Sequence, residues 1–332
     1  MSETRVIVAG ASGYAGALAA ELVDRHPRLK LGFATSRSHA GTRLCDLYPR
    51  HRCSIELGEL DLAELGDVEA AIVAYPHGAA APVVAGMRGL GLTVVDLSAD
   101  FRLVDATIYE LWYGPHGEPE LLENAVYGLP ELNRERLRGA DLIANPGCYP
   151  TASLLALAPL AASGKVASVL IDAKSGVSGA GRDGGERFSF VNLAENALPY
   201  GLGSHRHQPE IEQELRKLGA AGELTFVPHL LPLDQGLLAS CYVELSEPLD
   251  EDELRALYAE QYAGEPFVEL VDAPPGVRDV RETNRCQIHV VSLGERRAGV
   301  FAVIDNLWKG AAGQAIQNLN LALGFDEAEG LR

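Results

Sequence analysis

The sequence predicts an α/β protein in which a doubly wound parallel sheet is followed by an α+β domain. The chain opens with a β-branched strand, a glycine-rich turn and an apolar helix. Strands and helices then alternate, which is typical of a parallel sheet with helices between its strands. Beyond Pro150 the strand candidates become longer and the helices fewer, which favours a mixed or antiparallel sheet.

The same pattern predicts the elements of both domains in order. In the first domain a helix runs from Tyr14 to Arg25, and strands lie at 29–35, 70–75 and 93–98. In the second domain strands lie at 166–176, 223–233, 237–246 and 286–294, and helices lie at 209–219 and 250–262. The segment 309–324 is rich in good helix formers. We therefore predict a first domain of residues 1–147, completed by a C-terminal helix within 310–332, and a second domain of residues 148–309.

Charge and composition exclude several classes of protein. The 332 residues include 28 basic and 46 acidic side chains, which gives a net charge of −18. Phosphate backbones and anionic membrane surfaces repel such a chain, so we expect no nucleic-acid or membrane partner. The apolar runs are shorter than a membrane span, and we expect an unprocessed cytoplasmic protein. Five cysteines without a C-x-x-C pair indicate reduced thiols, and we predict no metal site.

A glycine-rich turn near the start of the chain predicts a cofactor site. Gly10, Gly13 and Gly16 have the spacing G-x-x-G-x-x-G, directly after a strand and at the start of a helix. Glycines at these places let the backbone approach a pyrophosphate, and the start of a helix offers amide donors and a partial positive charge. The turn therefore predicts a Rossmann dinucleotide-binding domain, and we assign Ser12 and Tyr14 to cofactor binding as well.

The end of the second predicted strand indicates which dinucleotide binds. An NAD site places an acidic residue there to hold the ribose hydroxyls, whereas this chain has Ser36, Arg37 and Ser38. A guanidinium and two hydroxyls suit a 2′-phosphate, which predicts NADP(H) rather than NAD(H). Taken alone, Arg37 is explained about equally well as a 2′-phosphate ligand and as a solvated charge on a loop.

An unusual cysteine follows the first domain. The segment Pro-Gly-Cys-Tyr-Pro at 146–150 stands directly before an apolar, helix-forming run. Pro150 suits the first residue of a helix, and the start of a helix favours a thiolate. We therefore predict that Cys148 is a nucleophile, which beside a nicotinamide would form a thioester that is reduced to an aldehyde. The other four cysteines are interpreted as small buried hydrophobic residues.

Two histidines provide candidates for acid–base chemistry. His205 and His207 flank Arg206, just before a helix predicted to begin near Pro209, and Glu210 lies three residues after His207. We predict that His207, oriented by Glu210, is the acid/base and that His205 binds substrate, although the reverse assignment is nearly as well supported. The alternative interpretation is that both histidines stabilise the fold or lie exposed on the surface without a catalytic role.

Five segments together resemble one family. They are IANPGCYPTASLLALAP, DLSADFR, KSGVSGAGR, HRHQPEI and DNLWKGAAGQAIQNLN, and they are spread over nearly the whole chain. The sequence resembles the N-acetyl-gamma-glutamyl-phosphate reductases of arginine biosynthesis, which belong to a larger group that includes aspartate-semialdehyde dehydrogenase.

The resemblance implies both the fold and the reaction. The fold would be a Rossmann domain, completed by the C-terminal helix, and a second domain like the catalytic domain of glyceraldehyde-3-phosphate dehydrogenase. The reaction would be the NADPH-dependent reduction of N-acetyl-gamma-glutamyl phosphate to N-acetylglutamate semialdehyde and phosphate, with a thioester at Cys148. The resemblance also implies a homo-oligomer, which we expect to be a homodimer or homotetramer.

One departure from the family pattern affects substrate binding. Members of the family commonly read Pro-x-x-Arg-Gly after the His-Leu segment, whereas this chain has Gln235 before the glycine. If that arginine holds the anionic substrate, its charge is missing here. The predicted anion ligands are therefore Arg102, Lys174 and Arg182, each of which could instead be a surface charge. The remaining assignments are Tyr200 to the substrate and Ser178 and Gly179 to the cofactor.

Two other functions compete with this reading. A related reductase would act on an aminoadipyl or glutamyl phosphate carried by a small acidic protein, and the net charge of −18 argues mildly against such a partner because like charges slow encounter. A non-catalytic NADP sensor would keep the Rossmann fold without the chemistry. The cysteine and the two histidines argue against a sensor, which needs no reactive thiol.

Overall fold

The computed structural model describes residues 3–182, 189–220 and 222–332. The chain divides into two compact units, Met1–Gly147 with Ala311–Arg332 and Cys148–Gly310.

The first unit contains a six-stranded parallel sheet with the strand order β2-β1-β3-β4-β6-β5. Its strands are β1 (Thr4–Ala9), β2 (Leu29–Thr35), β3 (Ala70–Val73), β4 (Thr93–Asp96), β5 (Val126–Tyr127) and β6 (Leu142–Ala144). Its helices are α1 (Tyr14–Asp24), α2 (Leu44–Leu47), α3 (Ala81–Gly89), α4 (Ala106–Tyr113), α5 (Pro130–Leu137) and α10 (Gly313–Ala322). The near-continuous apolar run of β1 is fully buried, as expected of a central strand covered on both faces.

Helix α10 belongs to this unit although it comes from the end of the chain. It packs against α1, α5 and β4. Its polar side chains are buried as well as its apolar ones, and Asn318 donates to the carbonyl of Gly128 at 2.8 Å and to the side-chain oxygen of Asn145 at 2.9 Å. These amide contacts fix α10 beside the strand β6 because buried amides are stable only when they are hydrogen-bonded.

The second unit contains a seven-stranded mixed sheet with the strand order β11-β12-β13-β10-β7-β9-β8. Its strands are β7 (Val166–Ser175), β8 (Leu198–Pro199), β9 (Glu223–Leu230), β10 (Leu237–Leu245), β11 (Val268–Leu270), β12 (Cys286–Gly294) and β13 (Arg297–Ile304). Its helices are α6 (Cys148–Ala162), α7 (Phe190–Leu193), α8 (Gln208–Lys217) and α9 (Glu251–Gln261).

One face of this second sheet carries the helices. Helix α6 packs against β10, β13 and α8, and it is almost entirely buried. The central strand β7 alternates accordingly, with Val169, Ile171 and Ala173 buried and Leu170 exposed on the opposite face. The architecture confirms the predicted fold class, a Rossmann-type parallel sheet followed by an α+β domain.

Two details differ from the sequence prediction. Helix α6 begins at Cys148, two residues before the predicted start at Pro150, which a helix tolerates because a proline in the first turn removes no intrahelical hydrogen bond. The sequence prediction did not include the strands β5, β6, β8, β11 and β13. Within the described residues, no helix combines the length and the apolarity needed to cross a membrane.

Candidate active site

The glycine-rich turn of the first unit has three glycines with three different tasks. Gly10 has a φ of +89°, and a Cβ there would lie 2.5 Å from the carbonyl oxygen of Ala74. A Cβ on Gly16 would overlap the carbonyl oxygen of Gly10, so this glycine allows α1 to pack on the turn. A Cβ on Gly13 would meet only that same oxygen, at 3.8 Å. The fold itself therefore requires Gly10 and Gly16, whereas Gly13 leaves open space.

The open space at Gly13 fits a phosphate group. Gly13 is the residue that caps α1, and no side chain caps the helix there. A Cβ at this position would stand in the open space beside the start of α1. Since a helix start with uncovered amides and a partial positive charge binds anions, this turn has the shape and the donors that a dinucleotide pyrophosphate needs.

The two serines assigned to the cofactor bind each other. The Ser36 hydroxyl donates to the Ser12 hydroxyl at 2.8 Å, and Ser36 is buried. The Tyr48 hydroxyl donates to the Ser12 carbonyl at 2.7 Å, a contact for which the sequence carries no signal. Arg37 and Ser38 are exposed directly after β2. The structure thus places Ser36 in the wall of the turn and leaves Arg37 and Ser38 at its surface.

Arg102, a predicted substrate ligand, is buried in the first unit. Its guanidinium donates to the carbonyl of Asn145 at 2.7 Å and to the carbonyl of Leu97 at 2.7 Å. These carbonyls lie directly after the strands β4 and β6. In this structure the side chain therefore joins two adjacent strand ends.

Cys148 is half-buried and is the first residue of α6. A Cβ on Gly310 would lie 2.8 Å from the Cβ of Cys148 and 3.3 Å from its Cα. Gly310 therefore packs directly on the cysteine backbone, and no larger residue fits there without displacing it. No sequence motif singles out Gly310, because it lies 162 residues after Cys148, at the far end of the unit.

Tyr149 connects the cysteine segment to the histidine segment. Its ring lies 5.5 Å from the ring of His205 and 5.9 Å from that of His207, centre to centre. Its hydroxyl donates to the carbonyl of His229 at 3.1 Å and accepts from the hydroxyl of Tyr200 at 3.3 Å. Burial raises the pKa of Tyr149 well above its ordinary value, so the ring stays a neutral hydrogen-bonding group. The structure thus brings together Cys148, through its neighbour, and the residues predicted at 200–207.

His205 has a hydrogen-bond partner at each ring nitrogen. Its Nδ1 accepts from the backbone amide of His207 at 3.1 Å, and its Nε2 lies 3.3 Å from the hydroxyl of Tyr200. The amide contact assigns the proton of the neutral ring to Nε2. Burial, assisted by the charge of Arg206, lowers the pKa of His205 to about 4. The ring is therefore neutral at pH 7 and acts as a donor at Nε2.

His207 and Glu210 lie at the start of α8. His207 caps this helix and is half-buried, and its ring lies 4.9 Å from that of His205. Glu210 is 1% exposed in the first turn of the helix. A carboxylate in a first turn is stabilised by the helix dipole, which explains how an acidic side chain is accommodated in this interior.

The loop predicted to contact the cofactor is joined to the segment that contains Gln235. Ser178 donates to the carbonyl of Asp234 at 2.6 Å and accepts from the amide of Asn306 at 3.0 Å. A Cβ on Gly179 would lie 3.5 Å from the hydroxyl of Ser175. Gln235 is buried, and its carbonyl accepts from Arg281 at 3.0 Å.

The two other predicted anion ligands lie elsewhere. The ammonium of Lys174 is 2.7 Å from the carboxylate of Asp172 and donates to the hydroxyl of Ser240 at 3.3 Å. Because side chains alternate along a strand, Lys174 projects from the opposite face of β7 to Ser175. Arg182 is exposed at the edge of the residues that the structure describes.

A dinucleotide-binding turn in one unit and a cysteine segment packed on two histidines in the other are typical of NAD(P)-dependent oxidoreductases that act on aldehydes or activated acyl groups. Comparison with known families agrees. The model for the semialdehyde dehydrogenase NAD binding domain matches residues 5–140, and the model for the semialdehyde dehydrogenase dimerisation domain matches residues 148–306.

Curated relatives give the particular family. N-acetyl-gamma-glutamyl-phosphate reductase of Moorella thermoacetica is 47% identical over 98% of this chain and 96% of its own length. The protein of the same name from Azotobacter vinelandii is 46% identical over 98% of this chain and 97% of its own length. The chain belongs to the N-acetyl-gamma-glutamyl-phosphate reductase family, which confirms the resemblance drawn from its motifs.

Solved structures agree on the fold. Aspartate semialdehyde dehydrogenase II from Vibrio cholerae superposes with a TM-score of 0.75 at 19% identity, covering 98% of this chain and 99% of that one. Aspartate semialdehyde dehydrogenase from Candida albicans, solved with NADP, gives a TM-score of 0.72 at 14% identity and covers 97% and 99% of the two chains. At such low identity these neighbours establish the fold alone.

Proposed function

We propose that the protein reduces N-acetyl-gamma-glutamyl phosphate to N-acetylglutamate semialdehyde and phosphate, with NADPH as the reductant and in the biosynthesis of arginine. The names of the curated relatives support the substrate. The observation that carries the chemistry is the half-buried cysteine at the start of α6, whose neighbour Tyr149 packs on both histidines.

The first half of the reaction is an acyl transfer to Cys148. The thiolate attacks the acyl carbon of the substrate, a carbon–sulfur bond forms, and phosphate leaves with the electron pair of the carbon–oxygen bond. A thiolate is favoured at this place because the start of α6 carries the positive end of the helix dipole. The product of this half is a thioester on the enzyme.

The second half reduces the thioester to the aldehyde. The turn at 10–16 has the open backbone for the pyrophosphate of NADPH, and the bound cofactor supplies the hydride. His207 gives a proton to the developing alkoxide and takes it back as the carbonyl re-forms, so that the carbon–sulfur bond breaks with its electron pair on sulfur and releases the aldehyde and the Cys148 thiolate. His205 is neutral and has its single N–H at Nε2, which faces the Tyr200 hydroxyl, so it binds a substrate oxygen by exchanging this hydroxyl for the substrate. Glu210 and Tyr200 complete this arrangement as positioning groups.

The substrate also carries negative charge that must be bound. Among the predicted anion ligands we retain Arg182, because it is exposed in the loop that follows Ser178. Arg102 and Lys174 hold backbone carbonyls and a carboxylate respectively, so we assign them a supporting role. Ser178 and Gly179 form the wall between this loop and Ser175.

The protein is further proposed to work as a homodimer or homotetramer in the cytoplasm. The second unit matches a dimerisation domain, and the sheet face opposite α6 exposes Leu170, Tyr242 and Leu293. These apolar side chains suit burial against a second copy of the chain. Within the described residues none of the five cysteines forms a disulfide, which suits a reducing compartment. Sedimentation of the purified protein tests the oligomer.

The direct test runs the reaction backwards with a panel of semialdehydes. Reduction of NADP that requires phosphate and is fastest with N-acetylglutamate semialdehyde supports the proposal. Preference for a semialdehyde attached to a carrier protein would instead assign the related carrier-dependent reaction. NADP reduction without any phosphate requirement would contradict the acyl phosphate chemistry.

A further inference from the structure

Asp305 is a buried carboxylate that the proposed chemistry does not use. It follows β13 and is 0% exposed. One carboxylate oxygen accepts from the backbone amides of Leu307 at 2.9 Å and Trp308 at 3.2 Å. The other accepts from the backbone amide of Glu282 at 2.8 Å. A single side chain thus closes the turn that follows β13 and ties this turn to a distant segment.

The segment held by Asp305 is conformationally unusual. Glu282 has a φ of +56°, a left-handed conformation that a residue with a side chain adopts only when its surroundings enforce it. The neighbouring Arg281 donates to the carbonyl of Gln235 at 3.0 Å. The hydrogen bond from Glu282 to Asp305 is therefore one of the contacts that maintain this backbone.

The backbone of Asp305 reaches the nucleophile through one residue. Its carbonyl accepts from the amide of Gly310 at 3.0 Å, across the π-helical turn Trp308–Ala312. Gly310 in turn lies against Cys148, because a Cβ on it would be 2.8 Å from the Cβ of that cysteine. Such wide turns are rare and are found frequently at functional sites. The carboxylate fixes the turn, the turn fixes Gly310, and Gly310 contacts the nucleophile.

We propose that Asp305 is a positioning residue, which sets the place of the Cys148 thiol at the start of α6 through the Gly310 peptide. The inference rests on the proposed role of Cys148 as the nucleophile. It extends that role by assigning its alignment to a carboxylate that touches neither substrate nor cofactor. Burial raises the pKa of Asp305 above its ordinary value, although three backbone amides oppose this shift. The site is therefore sensitive to any change that removes one of those amides.

Two substitutions test the two links separately. Asp305→Asn keeps an oxygen for one set of amides but turns an NH2 group towards the other, so either orientation loses part of the turn. Gly310→Ala keeps the Asp305 carboxylate and its three amides, and its methyl group meets the Cβ of Cys148 at 2.8 Å and, less closely, the Asp305 carbonyl oxygen at 3.3 Å. Asp250→Ala is the matched control, because Asp250 is a capping carboxylate of the same unit that contacts only its own helix start, α9.

The main measurement is the rate at which iodoacetamide labels Cys148 as a function of pH, in the absence of substrate and cofactor. We expect both site variants to bind NADPH normally, to label with a pH midpoint displaced towards that of a free thiol, and to lose turnover on the order of 10²-fold, the effect of misplacing a reacting group by about 1 Å. The control should lose thermal stability and keep the labelling profile and turnover of the wild type.

Labelling needs no substrate, so it separates this inference from the proposed function. Wild-type protein that labels at Cys148 but reduces no acyl phosphate would contradict the function and leave the comparison of labelling profiles to decide the positioning role. The role would be overturned by site variants that melt earlier, as the control does, yet label and turn over like the wild type. Should Gly310→Ala fail to fold, the labelling profile of Asp305→Asn decides alone.

Discussion

The two units both place functional groups at the start of a helix, but they do so in opposite ways. At α1 the capping residue is Gly13, which leaves open space above the uncovered amides. At α6 the first residue is Cys148, which Gly310 contacts directly. We propose that the first helix start receives an anion from outside the protein, whereas the second carries the thiol that we propose as the nucleophile.

This contrast explains why glycines serve different purposes in the two places. In the first unit a Cβ on Gly13 would meet only the Gly10 carbonyl oxygen at 3.8 Å, so we propose that the fold does not require this glycine and that a ligand does. In the second unit Gly310 is small for the benefit of another residue. A substitution at Gly13 should therefore change binding, whereas one at Gly310 should change the reactivity of the cysteine.

The largest effect is expected from replacing the reactive atom of the second site, the sulfur of Cys148. Cys148→Ser should fold and bind NADPH as the wild type does, but lose activity by roughly 10³-fold or more, because a hydroxyl at this place has no ionised fraction comparable to that of a thiolate. Steady-state assays with the acyl phosphate and fluorescence titration with NADPH measure the two quantities. Cys241→Ser, at a fully buried cysteine, is the control for substitution as such. Activity that survives in Cys148→Ser would rule out the thioester.

The next largest effect separates the two histidines. His207→Asn should lower turnover by about 10²–10⁴-fold, the usual contribution of an acid/base, whereas His205→Asn should mainly raise KM for the acyl phosphate. Since burial holds the pKa of His205 at about 4, this ring does not titrate between about pH 5 and 8. The pH dependence of turnover in that range should therefore persist in His205→Asn. The opposite result would exchange the two roles.

A smaller effect is expected from filling the open space beside Gly13 at the start of α1. Gly13→Ala should raise KM for NADPH by about tenfold, because its methyl group occupies the place of the pyrophosphate, at a cost in stability below about 1 kcal/mol. Gly16→Ala is the matched comparison, since its methyl group overlaps the Gly10 carbonyl and should destabilise the unit by about 1–3 kcal/mol. Thermal melts and cofactor titrations distinguish the two. Equal stability losses would mean that Gly13 serves the fold and not the ligand.

Local pattern predicted most of the fold. The α1 prediction of Tyr14 to Arg25 is one residue longer than the helix, and the predicted strand 29–35 coincides with β2. Both elements have strong signals, a 3.6-residue period in the helix and a β-branched or apolar run in the strands. The short strand β6 was missed because its three residues read as the approach to the helix that follows.

Contacts between distant parts of the chain could not be predicted in this way. The position of Gly310 on Cys148 and the ties of Asp305 depend on how β13 returns towards α6, which no local pattern encodes. Lys174 shows both cases. Its ion-pair partner, Asp172, lies two residues earlier on the same face of β7, whereas Ser240, which accepts its hydrogen bond, comes from another strand. Sequence therefore indicates which residues have useful chemistry more readily than it indicates which residues they contact.

The smallest effect is expected from removing Arg37, and it tests whether the first site recognises the 2′-phosphate of NADPH. Arg37 is exposed just beyond β2, at the place where a ribose-binding acid is absent, so it should contact the 2′-phosphate of NADPH. Arg37→Ala should raise KM for NADPH by at most about fivefold, the loss of one charge pair at an exposed site, and leave KM for NADH nearly unchanged. Lys30→Ala removes the same charge from an exposed position within β2 and should alter neither constant. Because salt screens exposed charges, the difference between wild type and Arg37→Ala should also shrink at high ionic strength. Equal increases for NADPH and NADH would show that Arg37 supports the turn as a whole rather than reading the phosphate, and the preference for NADPH would then have to come from Ser38 or its neighbours.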